Sequence, residues 1–182
     1  MSKVRLDLFD SKLGLERGAS KPKEILWYFI KIIFFLSAIP YPSKFKVFIL
    51  RFFGAKIGVG LVIKPRVNIH FPWKLEIGNH VWIGEEAFLL NFEKITIGNN
   101  VCISQRAFLC GGNHDFKVPS MPYRNGIITI EDGCWIGATS FIGPNVIIGS
   151  DTVISANSVV TKSLSDNGIY SGNPIQFIKN RC

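Results

Sequence analysis

The sequence predicts an all-β solenoid carrying an extruded loop and an N-terminal helical appendage. Three observations carry that prediction. An apolar residue recurs every six positions from Ile57 to Val160; the departures from that beat are insertions at one recurring place; and residues 24–39, EILWYFIKIIFFLSAI, form an unbroken apolar run ahead of two prolines.

The appendage comes first, as residues 1–56. Its apolar run predicts a helix that is buried or in contact with lipid. The run is shorter than the roughly 20 apolar residues a membrane span needs, and it carries Lys31. Pro40 and Pro42 end it. A second helix is expected from Ser43, with Phe45, Phe48, Ile49 and Phe52 as its apolar stripe and Gly54 closing it. Lys21, Lys23, Lys44, Lys46 and Arg51 surround this material. Two compatible roles follow: covering the open end of the solenoid, and peripheral membrane contact through residues 21–53 beside an anionic leaflet.

The repeat occupies residues 57–164. A helix has a period of 3.6 and a simple strand a period of 2, so neither explains a six-residue beat. Three short strands per coil, with coils stacked, do explain it. Ile57, Ile77, Ile97, Ile130 and Ile148 then share one face, A. Ile63, Ile83, Ile103, Ile136 and Ile154 share a second, B; Ile69, Leu89, Leu109, Ile142 and Val160 share the third, C. A small or β-branched residue follows four places later, as at Val81, Ala87, Val101, Ser140 and Thr152. Every insertion lies between a C strand and the next A strand: two residues before Ile77, two before Ile97, and fifteen between Leu109 and Ile130. The last is the loop at 110–128. Residues 165–182 form a C-terminal tail.

Composition narrows the partners. Charged residues make up 19% of the 182 and the net charge is +8, which argues against disorder and for an anionic partner. Cys102, Cys110, Cys134 and Cys182 have no CxxC spacing, so reduced thiols in a cytoplasmic protein are expected. The opening MSKVRLDLFD lacks the character of a signal peptide. The basic residues belong to no recognisable nucleic-acid module, so no nucleic acid is expected.

The repeat, the loop LCGGNHDFKVPSMPYRNGIITI and the closing VVTKSLSDNGIYSGNPIQFIKN together resemble the left-handed parallel β-helix acyltransferases built of hexapeptide repeats. The similarity is greatest to the colanic-acid-biosynthesis type, related to galactoside and maltose O-acetyltransferases, and it covers residues 57–180. The N-terminal RGAS, WY and LRFFGAKIG also look like the colanic-acid subgroup. The resemblance implies left-handedness, a homotrimer with active sites between subunits, acetyl-CoA as co-substrate and a sugar or lipid-linked saccharide as acceptor. It implies O-acetylation in exopolysaccharide or capsule biosynthesis. Antibiotic-acetylating relatives and a non-catalytic scaffold are the alternatives. The long helical N-terminal domain of serine acetyltransferases is missing.

Acetyl transfer to an alcohol needs a base for the hydroxyl proton, and histidine, with an ordinary pKa of about 6.5, suits it. His114 is the only histidine of the loop, and the family's catalytic histidine stands at the same place. His70 and His80 read as structural. The gaps of 10 and 34 residues between the three histidines do not match the zinc-binding pattern of γ-class carbonic anhydrases, so no metal is expected. Asn91, two residues after Leu89, should lie beneath the loop base; in galactoside acetyltransferases an asparagine in a similar Asn-Phe context helps bind the acceptor. Asp115, or a backbone carbonyl, could orient the imidazole, with Glu93 and Glu131 as other corner carboxylates. A backbone N–H near Ser140 is one source of oxyanion stabilisation.

For the coenzyme, Ala138 and Ala156 each follow a face-B isoleucine by two and should stack, exposing backbone to the pantetheine amides. The family uses this pair. Thr161 and Lys162 match its TK motif, and Lys179 matches an arginine near the 3′-phosphate. Gln176 stands where a second arginine is common.

Overall fold

The computed structural model describes residues 3–182. Its body is a left-handed β-solenoid whose coils follow the six-residue beat. The first coil holds β1 (Lys56–Ile57), β2 (Val62–Ile63) and β3 (Asn68–Ile69). The second holds β4 (Leu75–Ile77), β5 (Trp82–Ile83) and β6 (Phe88–Leu90). The third holds β7 (Ile95–Ile97), β8 (Cys102–Ile103) and β9 (Phe108–Cys110). After the long loop come β10 (Ile128–Ile130), β11 (Trp135–Ile136) and β12 (Phe141–Ile142). A fifth coil has β13 (Val146–Ile148), β14 (Val153–Ile154) and β15 (Val159–Val160).

Each face is a parallel sheet with equivalent residues paired, such as Ile83 with Ile103 and Leu89 with Leu109. Stacking puts the repeat isoleucines and leucines inside, all buried apart from the half-buried Ile57 of the first coil. Full burial of one such side chain contributes about 1.5–3 kcal/mol, so the ladder supplies most of the driving force. The tail extends face B: β16 (Gly168–Ser171) stacks on β14, and β17 (Gln176–Asn180) returns antiparallel.

The corners explain why the beat is six. Three residues after a repeat isoleucine the chain turns through left-handed backbone, at His80, Glu86, Asn100, Arg106, Thr139, Asn145, Asp151 and Asn157. Asparagine and aspartate tolerate this conformation best. At Glu86 and Arg106 the turn is held by a stacked ion series: Glu86 takes Arg66 at 3.1 Å and Arg106 at 2.7 Å.

Two helices cover the first coil. α1 (Lys21–Phe34) starts and ends earlier than the apolar run suggested. Pro22 sets its first turn, and the N–H groups of Phe35 and Leu36 both return to the Lys31 carbonyl and close it. Trp27 is buried and donates to the carbonyl of His70 at 2.9 Å. α2 (Ser43–Phe52) places Lys46, Ile49 and Leu50 inward. Ser43 Oγ accepts the otherwise unpaired N–H of Ile63 at 3.0 Å, and Lys46 donates to the Lys64 carbonyl at 3.0 Å. Burial holds the Lys46 ammonium below its usual pKa. Of the expected α2 stripe, Ile49 turns inward while Phe45, Phe48 and Phe52 face outward. No helix among the described residues is long and apolar enough to cross a membrane.

Candidate active site

The loop leaves the solenoid between faces C and A, where β9 ends. Its root is closed by Gly111 and Gly126, the N–H of Gly126 donating to the Gly111 carbonyl at 2.9 Å. A Cβ at Gly126 would meet the exposed Asn145 side chain, which would have to move aside. His114 then pairs with Tyr123 across the loop as a small antiparallel bridge.

Nδ1 of the His114 imidazole lies 2.7 Å from the carbonyl oxygen of Met121. A carbonyl only accepts, so Nδ1 carries the proton and Nε2 holds the free lone pair. The ring is half-buried between two aromatic neighbours, Tyr123 at 4.9 Å and Phe9 at 5.6 Å between centroids. Met121 has left-handed backbone, φ 46°, at a cost of order 1 kcal/mol. That strain sits at the group which orients the imidazole.

Asp115 has a different role from the one expected. Its Oδ1 accepts the Lys117 N–H at 3.0 Å, an Asx turn within the loop, and the backbone carbonyl of Met121 orients the imidazole instead. Glu131 leaves the loop's corner too and accepts the Ser150 N–H and hydroxyl. The Ser140 N–H faces the Gly137 carbonyl at 3.3 Å inside the turn, so it is not aimed at an oxyanion.

Asn91 lies beneath the loop base in the neighbouring coil, but it is fully buried. Its Oδ1 accepts the Phe71 N–H at 2.8 Å, and its Nδ2 donates to the Phe71 carbonyl at 2.5 Å. Both halves of the carboxamide are used. In this arrangement Asn91 fixes the backbone of Phe71.

The N-terminal segment of the appendage was not expected here. Arg5 donates its N–H to the Pro119 carbonyl at 2.8 Å, and the Asn125 amide donates to the Gly14 carbonyl at 3.1 Å. Gly14 has φ 79° and no room for a Cβ against the Tyr123 carbonyl. Through these contacts residues 5–14 strap the loop and bring Phe9 to His114. In the sequence only the paired glycines 14 and 18 hinted at a deliberate path.

Rings continue down this corner from Tyr123 to Phe92 at 5.6 Å and from Phe92 to His70 at 4.8 Å. They lead to a cavity of about 260 Å³ between α1 and the solenoid, lined by Arg17, Glu24, Trp27, Lys31, His70 and Trp73. Burial, then Lys31 and Arg17, push the His70 pKa down to about 4. Arg17 pairs with Glu24 at 3.1 Å, while Oε1 of Glu24 is buried without a partner. His80 sits at another corner, exposed, between faces A and B.

The expected coenzyme residues fall in two places. Ala138 and Ala156 do stack, the Asn157 N–H donating to the Ala138 carbonyl at 2.8 Å. They sit at the corner between B and C, with a surface hollow beside Ala138 lined also by Gln105 and Arg106. Thr161 and Lys162 follow β15 at the corner between C and A, both exposed. Lys179 is exposed on β17, opposite Ile169. Within one chain, face C separates the paired alanines from the His114 corner.

Residues 127–162 match the family model described as bacterial transferase hexapeptide (six repeats). Over 165 residues the chain is 38% identical to WcaF of Escherichia coli (strain K12), provisionally assigned as a colanic acid biosynthesis acetyltransferase, covering 91% of each protein. A hexapeptide-repeat acetyltransferase of Vibrio cholerae O1 biovar eltor, solved with acetyl coenzyme A, is similar in structure at a TM-score of 0.80 and 23% identity, covering 91% of this chain and 92% of that one. A maltose O-acetyltransferase from Clostridium difficile 630 gives 0.76 and 23%, covering 93% and 94%.

Proposed function

This chain belongs to the hexapeptide-repeat acetyltransferases, and on that premise we propose that it acetylates a sugar hydroxyl from acetyl coenzyme A, with His114 as general base. The observation that carries the reading is the Nδ1 contact to Met121, which leaves Nε2 as the proton acceptor. Nε2 takes the hydroxyl proton as the oxygen attacks the thioester carbon. The tetrahedral intermediate collapses, the C–S bond breaks, and the imidazolium returns the proton to the departing thiolate. Free coenzyme A and the acetyl ester are the products. A positioned base of this kind contributes about 10²–10⁴-fold.

The assignment of WcaF to colanic acid biosynthesis supports a saccharide acceptor. So does the cavity beside His70, whose wall combines aromatic side chains, Trp27, Tyr28 and Trp73, with the charged Arg17 and Lys31. Three ring-to-ring steps from His114, it suits a neighbouring sugar of an oligosaccharide. For the coenzyme, Ala138 and Ala156 supply exposed backbone, Thr161 and Lys162 line the exit of β15, and Lys179 offers a phosphate partner. The working unit in this reading is the homotrimer that the family resemblance implies, with active sites between subunits; the paired alanines and the His114 loop standing on different corners of one chain agree with it.

The test is release of coenzyme A thiol from acetyl-CoA with sugars, lipid-linked saccharides and antibiotics as acceptors. Saccharide-dependent release supports the reading. Release with antibiotics alone moves the protein to detoxification, and failure to bind coenzyme A at all returns it to a scaffold.

A further inference from the structure

The helices that cover the solenoid leave their outer sides bare. On α1, Ile25, Phe29, Ile32 and Ile33 are exposed at i, i+4, i+7 and i+8, with Leu26 and Tyr28 beside them. Opposite them Trp27 and Lys31 are buried. On α2 the exposed residues are Phe45, Phe48 and Phe52, at 40%, 68% and 72% exposure. Phe34 packs against Phe45 at 5.2 Å and Tyr41 at 5.1 Å and joins the helices into one layer. Both helices lie on the same end of the solenoid, α1 against the carbonyl of His70 and α2 against Ile63, so both bare sides point away from it. The patch is on the order of 1,000 Å², well above the few hundred that soluble monomers usually show.

Its charge selects the occupant. Residues 21–56 carry seven lysines and arginines and one carboxylate, Glu24, which is already paired with Arg17. Lys21, Lys44, Arg51 and Lys56 are exposed around the apolar centre. A second copy docking face to face would bring like charges together, whereas an anionic surface is matched at its rim and buries the rings at its centre. We propose that the outer sides of α1 and α2 are a docking surface for an anionic lipid bilayer, lying flat in the headgroup region without crossing it. The proposal does not depend on the catalytic reading. If that reading also holds, the surface brings the enzyme to acceptors held at a membrane.

The experiment is sedimentation of the full chain with vesicles of phosphatidylcholine alone and of phosphatidylcholine with about one-third phosphatidylglycerol. The wild type should partition at least about tenfold more strongly onto the anionic vesicles and be released by high salt. Phe29→Asp with Phe48→Asp should lose about tenfold or more of that partition with an unchanged melting temperature, since both rings are outside the core. Should that pair destabilise the fold, Lys44→Glu, on the rim, should still weaken binding in a salt-dependent way. Equal, negligible sedimentation with both vesicle types overturns the proposal. So does a wild-type assembly held together through this face, which Phe48→Asp would dissociate.

Discussion

The Met121 carbonyl accepts the Nδ1 proton of His114 at 2.7 Å across seven residues of the same loop. A base built this way needs no buried carboxylate partner. Its orientation depends on the backbone of the loop, and the loop is held from outside by the N-terminal strap.

Phe9 is the strap's contact with the imidazole, 5.6 Å away, and also packs on Tyr123 at 5.4 Å. Phe9→Ala should lower kcat by roughly tenfold through loss of base positioning while leaving coenzyme affinity unchanged. Gly14→Ala should act in the same direction, because its new methyl group meets the Tyr123 carbonyl. Steady-state kinetics with binding calorimetry separate the two quantities; an unchanged kcat in both variants contradicts the strap's role.

Asn91→Ala removes the side-chain acceptor of the Phe71 N–H, leaving it buried and unpaired, while the Phe71 carbonyl keeps the Lys74 N–H. A cost of about 1–3 kcal/mol in unfolding free energy is expected by urea titration. A variant of normal stability with a raised acceptor KM would mean that Asn91 touches acceptor after all.

His70 is neutral in the folded protein down to about pH 4, whereas an unfolded histidine protonates near 6.5. Between those values the unfolded state binds more protons, so stability from this site is complete above about pH 6.5 and falls as pH drops towards 4. The difference caps the loss at about 3 kcal/mol. Unfolding free energies measured from pH 7 to 4 should fall more steeply for the wild type than for His70→Asn. Parallel curves would place the ring in water.

Subunit complementation tests the shared site. His114→Ala lacks the base and Ala156→Trp blocks the alanine corner. If base and groove come from different chains of a trimer, mixed assemblies from equal amounts should recover about one-quarter of wild-type activity. With both in one chain, mixing recovers none.

The solenoid was legible because its signal is a period, repeated at isoleucine after isoleucine, and no other element has that spacing. The loop was legible as its interruption, and His114 as the only histidine within it. The orienting group was not identified uniquely: Met121 acts through its carbonyl, which every residue has, so the side chain gives no sign of it. Asn91 was placed correctly beneath the loop, but which way its amide turns depends on the bend at Phe71. The stripe on α2 left its direction open for a related reason. Apolar spacing marks a helix face without saying what covers it, and here Ser43, Lys46 and Leu50 turn inward, with Ser43 accepting the free N–H of Ile63.

The most direct measurement is the turnover of acetyl-CoA with a productive acceptor by the wild type and His114→Ala, beside the coenzyme affinity of each. A general base at His114 predicts a fall of about 10²–10⁴-fold in kcat with the coenzyme affinity retained. Turnover within about threefold of the wild type, with the same affinity, would contradict His114 as the base.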